Sequence, residues 1–152
     1  MKFSEFHNGL VLTTSKYKIT EEEIIQFAKA YDPQWFHTNI EAAKQGPYNG
    51  LIASGWMTCG IAMRLVANEI LKGSESNGSP GLAYLRWPSP VRPGDELFVK
   101  TTILDQRFSN SKPHIGILKW RWQVFNQIEL EVLDLEATSF FDISMKTIPD
   151  TE

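Results

Sequence analysis

The clearest periodic signal lies in the C-terminal half. Leu118, Trp120, Trp122 and Val124 alternate with Lys119, Arg121 and Gln123, a period of two that predicts a strand from Ile115 to Phe125 with one face buried. Shorter β-rich runs predict strands over Leu82 to Trp87 and Leu97 to Leu104. They are separated by PSPVRPGD, in which Pro93–Gly94 specifies a turn. A tight connection at Asn126–Gln127 leads into a further strand, Ile128 to Phe141. Its alternation changes phase between Val132 and Leu133, which reads as a β-bulge.

The N-terminal half changes period. A strand is expected from about Leu10 to Lys18. Thr20 then stands three residues before Glu23, the spacing of a capping box, and Glu21 to Glu23 suit the positive end of a helix. Ile24, Phe27, Ala28 and Tyr31 share one helical face, and Pro33 stops the helix near Tyr31 and Asp32. An acid at that C-terminal end is electrostatically disfavoured, so the position should lean toward its protonated form. Residues 32 to 51 are irregular apart from a short helix around Ile40 to Lys44. A long helix is expected from Ala53 to Leu71, with Ile52, Trp56, Cys59, Met63, Val66 and Ile70 as its apolar stripe. Ala53, Gly55, Gly60 and Ala62 keep that helix slim, and Gly60 in its interior calls for a packing reason. Gly73 to Gly81 reads as a flexible polar loop, and Pro149 to Glu152 as a frayed end. The elements predict an α+β fold in one domain, residues 1–152 with its core at about 5–142. A single long helix wrapped by a bent antiparallel sheet is a hot-dog arrangement.

Composition narrows the classes. A chain of 152 residues supports one compact domain, and 42% hydrophobic with 22% charged residues is a globular mixture. The net charge of −3, without a basic stripe, argues against a nucleic-acid binder. Trp120 and Trp122 should lie on the face opposite Lys119 and Arg121, which separates any stacking platform from charge. One cysteine makes no internal disulfide, and the N-terminus lacks a signal core, so a cytoplasmic location is the simplest reading. The uncharged run from Gln45 to Met63 holds four glycines with Asn49, Ser54 and Thr58, and reads as a buried helix with its preceding loop rather than a membrane span.

The candidate chemistry sits in YDPQWFHTN, Tyr31 to Asn39. Asp32 and His37 lie five apart in a segment that closes a helix, so both side chains can enter one cleft. Carboxylate and imidazole together suit acid–base work on a water. The plainer alternative is an Asp that caps a turn beside a His that fills space. In GLIASGWMT, Gly50 to Thr58, Gly55 falls in the first turn of the long helix. Unsatisfied amides there could stabilise a developing oxyanion, or the glycine could simply let the helix approach the sheet. Neither a GxxxxGK[ST] nor a GxGxxG motif occurs, and the histidines at 7, 37 and 114 have no zinc spacing. No metal is expected.

YDPQWFHTN, the following EAAKQGPYNGLIASGW, and RPGDEL after the long helix resemble the MaoC-like acyl dehydratases, which include the (R)-specific enoyl-CoA hydratases of the hot-dog superfamily. The resemblance runs from about residue 5 to 142. It implies that Asp32 and His37 activate water and that the Gly55 amide faces a thioester carbonyl. It also implies that Gln34, Trp35, Ala53, Ser54 and Trp56 line the substrate approach. Gln34 and Trp35 depart from the Asn and Pro common in the family. The implied reaction is reversible syn hydration of a trans-2-enoyl-CoA, with the coenzyme A thioester as substrate and no further cofactor, in a homodimer or higher oligomer. No nucleic-acid or membrane partner is implied. The alternatives are an acyl-CoA thioesterase, disfavoured because the long helix has no acid before Glu69, and a non-catalytic acyl-thioester-binding module.

Overall fold

The computed structural model describes residues 1–145, so the expected fraying of Pro149 to Glu152 lies outside the described residues. A 3₁₀ turn, Phe3–Glu5, leads into two short strands, β1 (Val11–Thr13) and β2 (Tyr17–Lys18). The single strand expected over Leu10 to Lys18 is thus divided. Thr14 causes the break: its Oγ1 accepts from the Val99 amide at 2.9 Å while Ser15 turns to bind the Glu69 carboxylate. Three helices follow, α1 (Glu21–Tyr31), α2 (Trp35–Thr38) and α3 (Ile40–Gln45). The capping box of α1 is formed by Thr20 and Glu23. Its face is narrower than the spacing predicts, because Tyr31 is exposed while Ile24 and Ala28 are buried.

The long helix α4 (Gly55–Val66) begins two residues later than expected and runs on as a π-helical turn over Ala67–Leu71. Strands β3 (Gly81–Arg86), β4 (Glu96–Phe108), β5 (Ile115–Phe125) and β6 (Glu131–Asp142) complete the chain. The sheet order is β1-β4-β5-β6-β3, antiparallel throughout, with β2 also on β4. One long helix against an open antiparallel sheet is the hot-dog arrangement. The Arg92–Asp95 turn places Pro93 second and Gly94 third, with Gly94 at φ +86° and the Asp95 amide on Arg92 O at 3.1 Å. That is a type II turn, which needs a left-handed residue in its third position.

Two departures have local physical causes. Strand β6 begins at Glu131, not Ile128, because the Asn126 side-chain oxygen accepts from the amides of Ile128 and Leu130 and curls this stretch into a turn. The expected phase change is present, since Val124 pairs with Leu133 and Phe125 with Glu131, leaving Val132 as the extra residue. The loop from Gly73 is partly ordered by the sheet, where Asn77 and Gly78 bond the backbone of Phe140 at 2.8 Å.

The largest departure concerns α4. Of the predicted stripe, Ile52, Val66 and Ile70 are buried, Cys59 is half-buried, and Trp56 and Met63 are exposed. The helix is apolar on more than one side. The face that meets the sheet carries Met57, Thr58, Ile61, Ala62 and Leu65 instead. It packs on a core that includes Trp120, Leu118, Val99, Leu133 and Phe141. Trp120 and Trp122 both point inward, as their alternation predicts. Gly60 has no neighbour within 4 Å of where a Cβ would stand, so the expected packing reason is absent and the residue faces open space.

On the outer face, Asp134 of β6 is buried and joins three strands. Arg121 of β5 donates Nε and Nη2 to its two oxygens at 2.9 Å each, and Tyr84 of β3 donates its hydroxyl at 3.0 Å. The Arg121 hydrogen bonds hold the Asp134 carboxyl below the usual carboxylate range against the cost of burial. A depressed folded-state value means that this contribution is complete above the ordinary carboxylate range and disappears as pH falls through the folded value. Asp134→Ala should lower unfolding free energy by about 1–3 kcal/mol in urea titration at neutral pH. The gap between variant and parent should close at strongly acidic pH; a gap that persists there would contradict the assignment.

Candidate active site

The site is assembled where three backbone segments converge. Helix α1 ends at Asp32, whose amide still bonds Ala28 O at 2.8 Å while its backbone turns out of the helix at φ −150° and ψ 67°. Pro33 forbids continuation. One turn of α2 then carries His37 back toward Asp32. The imidazole is buried, and its Nδ1 donates to the Ile52 carbonyl at 2.7 Å, with the Ile52 amide returning a bond to Phe36 O at 3.2 Å. This leaves His37 Nε2 facing Asp32 Oδ2 at 3.1 Å. Because Nδ1 already bears a hydrogen, the Nε2–Oδ2 contact becomes a hydrogen bond only when a further proton sits between the two groups.

Burial pushes the Asp32 carboxyl upward, but the Gln34 amide, the Ser54 hydroxyl and the neighbouring His37 outweigh it and hold it below its ordinary value. This reverses the expectation from the helix end. The cause is local: Gln34 Nε2 donates to Oδ1 at 2.7 Å, and ionised acceptors gain more from donors than a distant dipole removes.

The third segment is the start of α4. The Ala53 amide bonds Val91 O at 2.9 Å, which fixes the extended stretch before the helix. Gly55 opens the first turn, and its amide has no acceptor among the described residues. The Trp87 indole lies directly over it. A Cβ at Gly55 would stand 2.4 Å from the Trp87 ring, and Trp87 Nε1 donates to Gly55 O at 3.0 Å. Trp56 meets Trp87 edge to face at 5.3 Å. Proximity of an indole, not helix slimness alone, is why glycine is required here.

Asp32, His37, Ala53, Gly55 and Trp56 line one cavity of about 340 Å³, with Tyr48, Ile52, Thr58, Trp87, Val132 and the Pro88–Val91 segment forming the rest of its wall. Gln34, Trp35 and Ser54, expected as lining residues, stand outside that wall. Gln34 braces Asp32 from behind. Trp35 covers Gly46, where a Cβ would meet its ring at 2.7 Å, and leaves the cavity unobstructed. Ser54 is wholly buried. Sequence reasoning missed Trp87 and Tyr48. The glycine at 55 was the available signal for Trp87, since a close ring is one reason for a missing side chain.

Trp56 also belongs to a second, more apolar groove of about 480 Å³, lined by Cys59, Gly60, Met63, Leu82, Leu85, Leu135 and the Trp122 ring among others. The outward side of α4, with its open Gly60, is therefore the floor of a groove that meets the cavity at Trp56. Among the described residues no three His, Cys, Asp or Glu side chains cluster to hold a metal, and no helix is long and apolar enough to cross a membrane.

Residues 2–115 match the family model described as MaoC like domain. The chain belongs to the MaoC-like family. It is 34% identical over 138 residues to the uncharacterized protein YdeM of Bacillus subtilis, covering 91% of this chain and 96% of that protein. A crystal structure of a MaoC-like dehydratase from Rhodospirillum rubrum superposes with a TM-score of 0.83 at 33% identity, covering 91% of this chain and 94% of the other. The 3-hydroxyacyl-thioester dehydratase Z of Mycobacterium tuberculosis is 35% identical over 88 residues, 57% of this chain and 58% of that protein. The resemblance to the MaoC-like family and the hot-dog fold thus agree with the relatives.

Gly55→Ala forces the Trp87 ring or the first turn of α4 to move. It should cost about 1–3 kcal/mol of stability, in the range of overpacked sites, and change tryptophan fluorescence. In a Trp87→Ala background the same Gly55→Ala change should cost little further stability in a thermal melt.

Proposed function

We propose that this protein is a hydratase of the MaoC-like family, adding water reversibly and syn to trans-2-enoyl-CoA thioesters to give 3-hydroxyacyl-CoA. The observation that carries the reading is the Asp32–His37 contact at 3.1 Å in a cavity that also exposes the first turn of α4. An acid, an imidazole and an amide without an acceptor are the groups that this reaction needs. The unobstructed cavity and the orientation of Asp32 toward His37 favour this reading over a non-catalytic module.

Asp32, held ionised by Gln34, Ser54 and His37 against its burial, takes a proton from the water as the oxygen bonds the β-carbon. The proton on His37 Nε2 passes to the α-carbon. Negative charge grows on the thioester oxygen, where the Gly55 amide stabilises it without a full cation. The proton then returns from Asp32 to Nε2 across their contact, restoring the pair. The Ile52 carbonyl keeps Nδ1 as a donor throughout, so only Nε2 exchanges protons with the substrate. The acyl chain follows the apolar groove beyond Trp56. The substrate thioester is the only coenzyme in this scheme. A homodimer fits the edge position of β3 and its exposed Leu82 beside the outward face of α4. The lone thiol, Cys59, fits a reducing cytoplasmic compartment.

Loss of enoyl-thioester absorbance should follow addition of the protein to short, medium or branched trans-2-enoyl-CoAs. Asp32→Asn and His37→Ala, each verified as folded, should reduce turnover by about 10²-fold or more. Because the Asp32 carboxyl is held low, activity limited by that group should persist as pH falls into the ordinary carboxylate range, and fail only below it. Release of free thiol without hydration would assign thioester hydrolysis instead. Binding of acyl-CoA without turnover at any chain length would overturn an enzymatic role.

A further inference from the structure

Gly60 stands in the middle of α4 without either of the usual reasons for a glycine. Its φ is not positive, and nothing lies within 4 Å of where its Cβ would stand. An alanine would fit the same backbone and space, and would suit a helix interior better. Gly55 is the contrast, since there a Cβ would meet the Trp87 ring at 2.4 Å. Neither the backbone nor the packing of the chain accounts for Gly60, which leaves the open space beside it as the reason.

That space is the apolar groove of about 480 Å³. Trp56, Cys59, Gly60 and Met63 form its floor at the spacing of one helical face, and side chains of β3 and β6 supply the other wall. Trp56, Met63 and Leu82, all large and apolar, stand exposed along it, a clustering that marks a binding surface rather than a solvated one. The groove continues the catalytic cavity, because Trp56 lines both. Among the described residues no Lys, Arg, Asp or Glu lines it, so its occupant is uncharged along this length. Gly60 lies about 6 Å beyond Trp56 along the helix axis, a distance that an extended carbon chain covers in about five bonds.

We propose that Gly60 sets the acyl length this protein accepts: its missing side chain leaves the groove open beyond Trp56, and the chain of a medium-length acyl thioester passes over it toward Met63. This deepens the hydratase reading and rests on it for the reaction, whereas binding of the chain needs no turnover. Short chains end before Gly60 and gain nothing from the far part of the groove. Longer ones bury a further methylene at each step. Any side chain at position 60 stands where that chain runs, and a weaker helical turn is the consequence of leaving it out.

The test uses saturated acyl-CoAs of increasing chain length, which have no double bond to hydrate. Kd is read by calorimetry for the parent, Gly60→Ala and Gly60→Leu, with thermal melts and sedimentation alongside. In the parent, Kd should fall about fourfold for each methylene buried, and the gain should continue past the length that reaches Gly60. In Gly60→Leu the gain should stop at that length, and in Gly60→Ala it should weaken there. Gly60→Ala should also melt about 2–4 °C higher, which a glycine required by packing would not do. With trans-2-enoyl-CoAs, kcat/KM should follow the same dependence on length. The same length dependence in all three proteins overturns the proposal; if Gly60→Leu then also changes the sedimentation coefficient, the face belongs to a second copy of the chain. A lower melting temperature in Gly60→Ala overturns it too, because the space was not open. A parent that hydrates short enoyl-CoAs yet gains nothing from added length overturns the proposal and leaves the hydratase reading standing. Binding that lengthens its reach in the parent and is cut short in Gly60→Leu, without hydration of any enoyl-CoA, upholds the role of Gly60 and overturns the hydratase reading alone.

Discussion

The hydrogen bond from His37 Nδ1 to the Ile52 carbonyl is the contact on which the rest of the site depends. It ties the helical turn carrying the imidazole to the extended segment that feeds α4, and the Ile52 amide bond to Phe36 O doubles that tie. A single link thereby sets the ring tautomer, aims Nε2 at Asp32 and fixes the distance from the imidazole to the first turn of the helix. The strand-like hold of Ala53 on Val91 anchors the same segment from its other side. The placement of His37 opposite Asp32 and the first turn of α4 thus comes mainly from backbone hydrogen bonding, with the sheet as a rigid support beneath it.

The balance at Asp32 illustrates how close-range donors override longer-range fields. A helix C-terminus and burial both work against a carboxylate, and each is visible from the chain alone. What the chain does not display is that Gln34 folds back to within 2.7 Å of one carboxylate oxygen and that His37 faces the other. Gln34 stands where the family resemblance leads one to expect an Asn. Its longer side chain still reaches the acid, so this departure preserves a donor to Asp32.

Strand periods were legible because alternation has a strict period of two and the sheet's inner face is continuous. The capping box at Thr20, the type II turn at Pro93–Gly94 and the bulge at Val132 were legible because each depends on residues adjacent in sequence. The buried face of α4 was not, since a helix apolar on several sides offers two acceptable stripes and only the sheet chooses between them. Asp32 and His37 stood out by type and spacing, whereas Trp87 lies 32 residues from Gly55 and enters the site through a long-range contact. The break between β1 and β2 likewise depends on Thr14 meeting Val99 and Ser15 meeting Glu69, partners that spacing does not pair.

The intimacy of Gly55 and Trp87 has a consequence for how such a chain can change over time. With the indole where a Cβ would be, 2.4 Å away, any side chain at position 55 is barred while the tryptophan remains. A smaller residue at 87 removes the bar but also gives up the bond to the Gly55 carbonyl and the edge-to-face partner of Trp56. The two positions form a lock that opens from one side only: drift must begin at 87, pass through a looser cavity, and only then reach 55. Diversification of the cavity wall is thereby steered toward positions such as Tyr48 and the Pro88–Val91 segment, which can vary without first dismantling the start of the central helix.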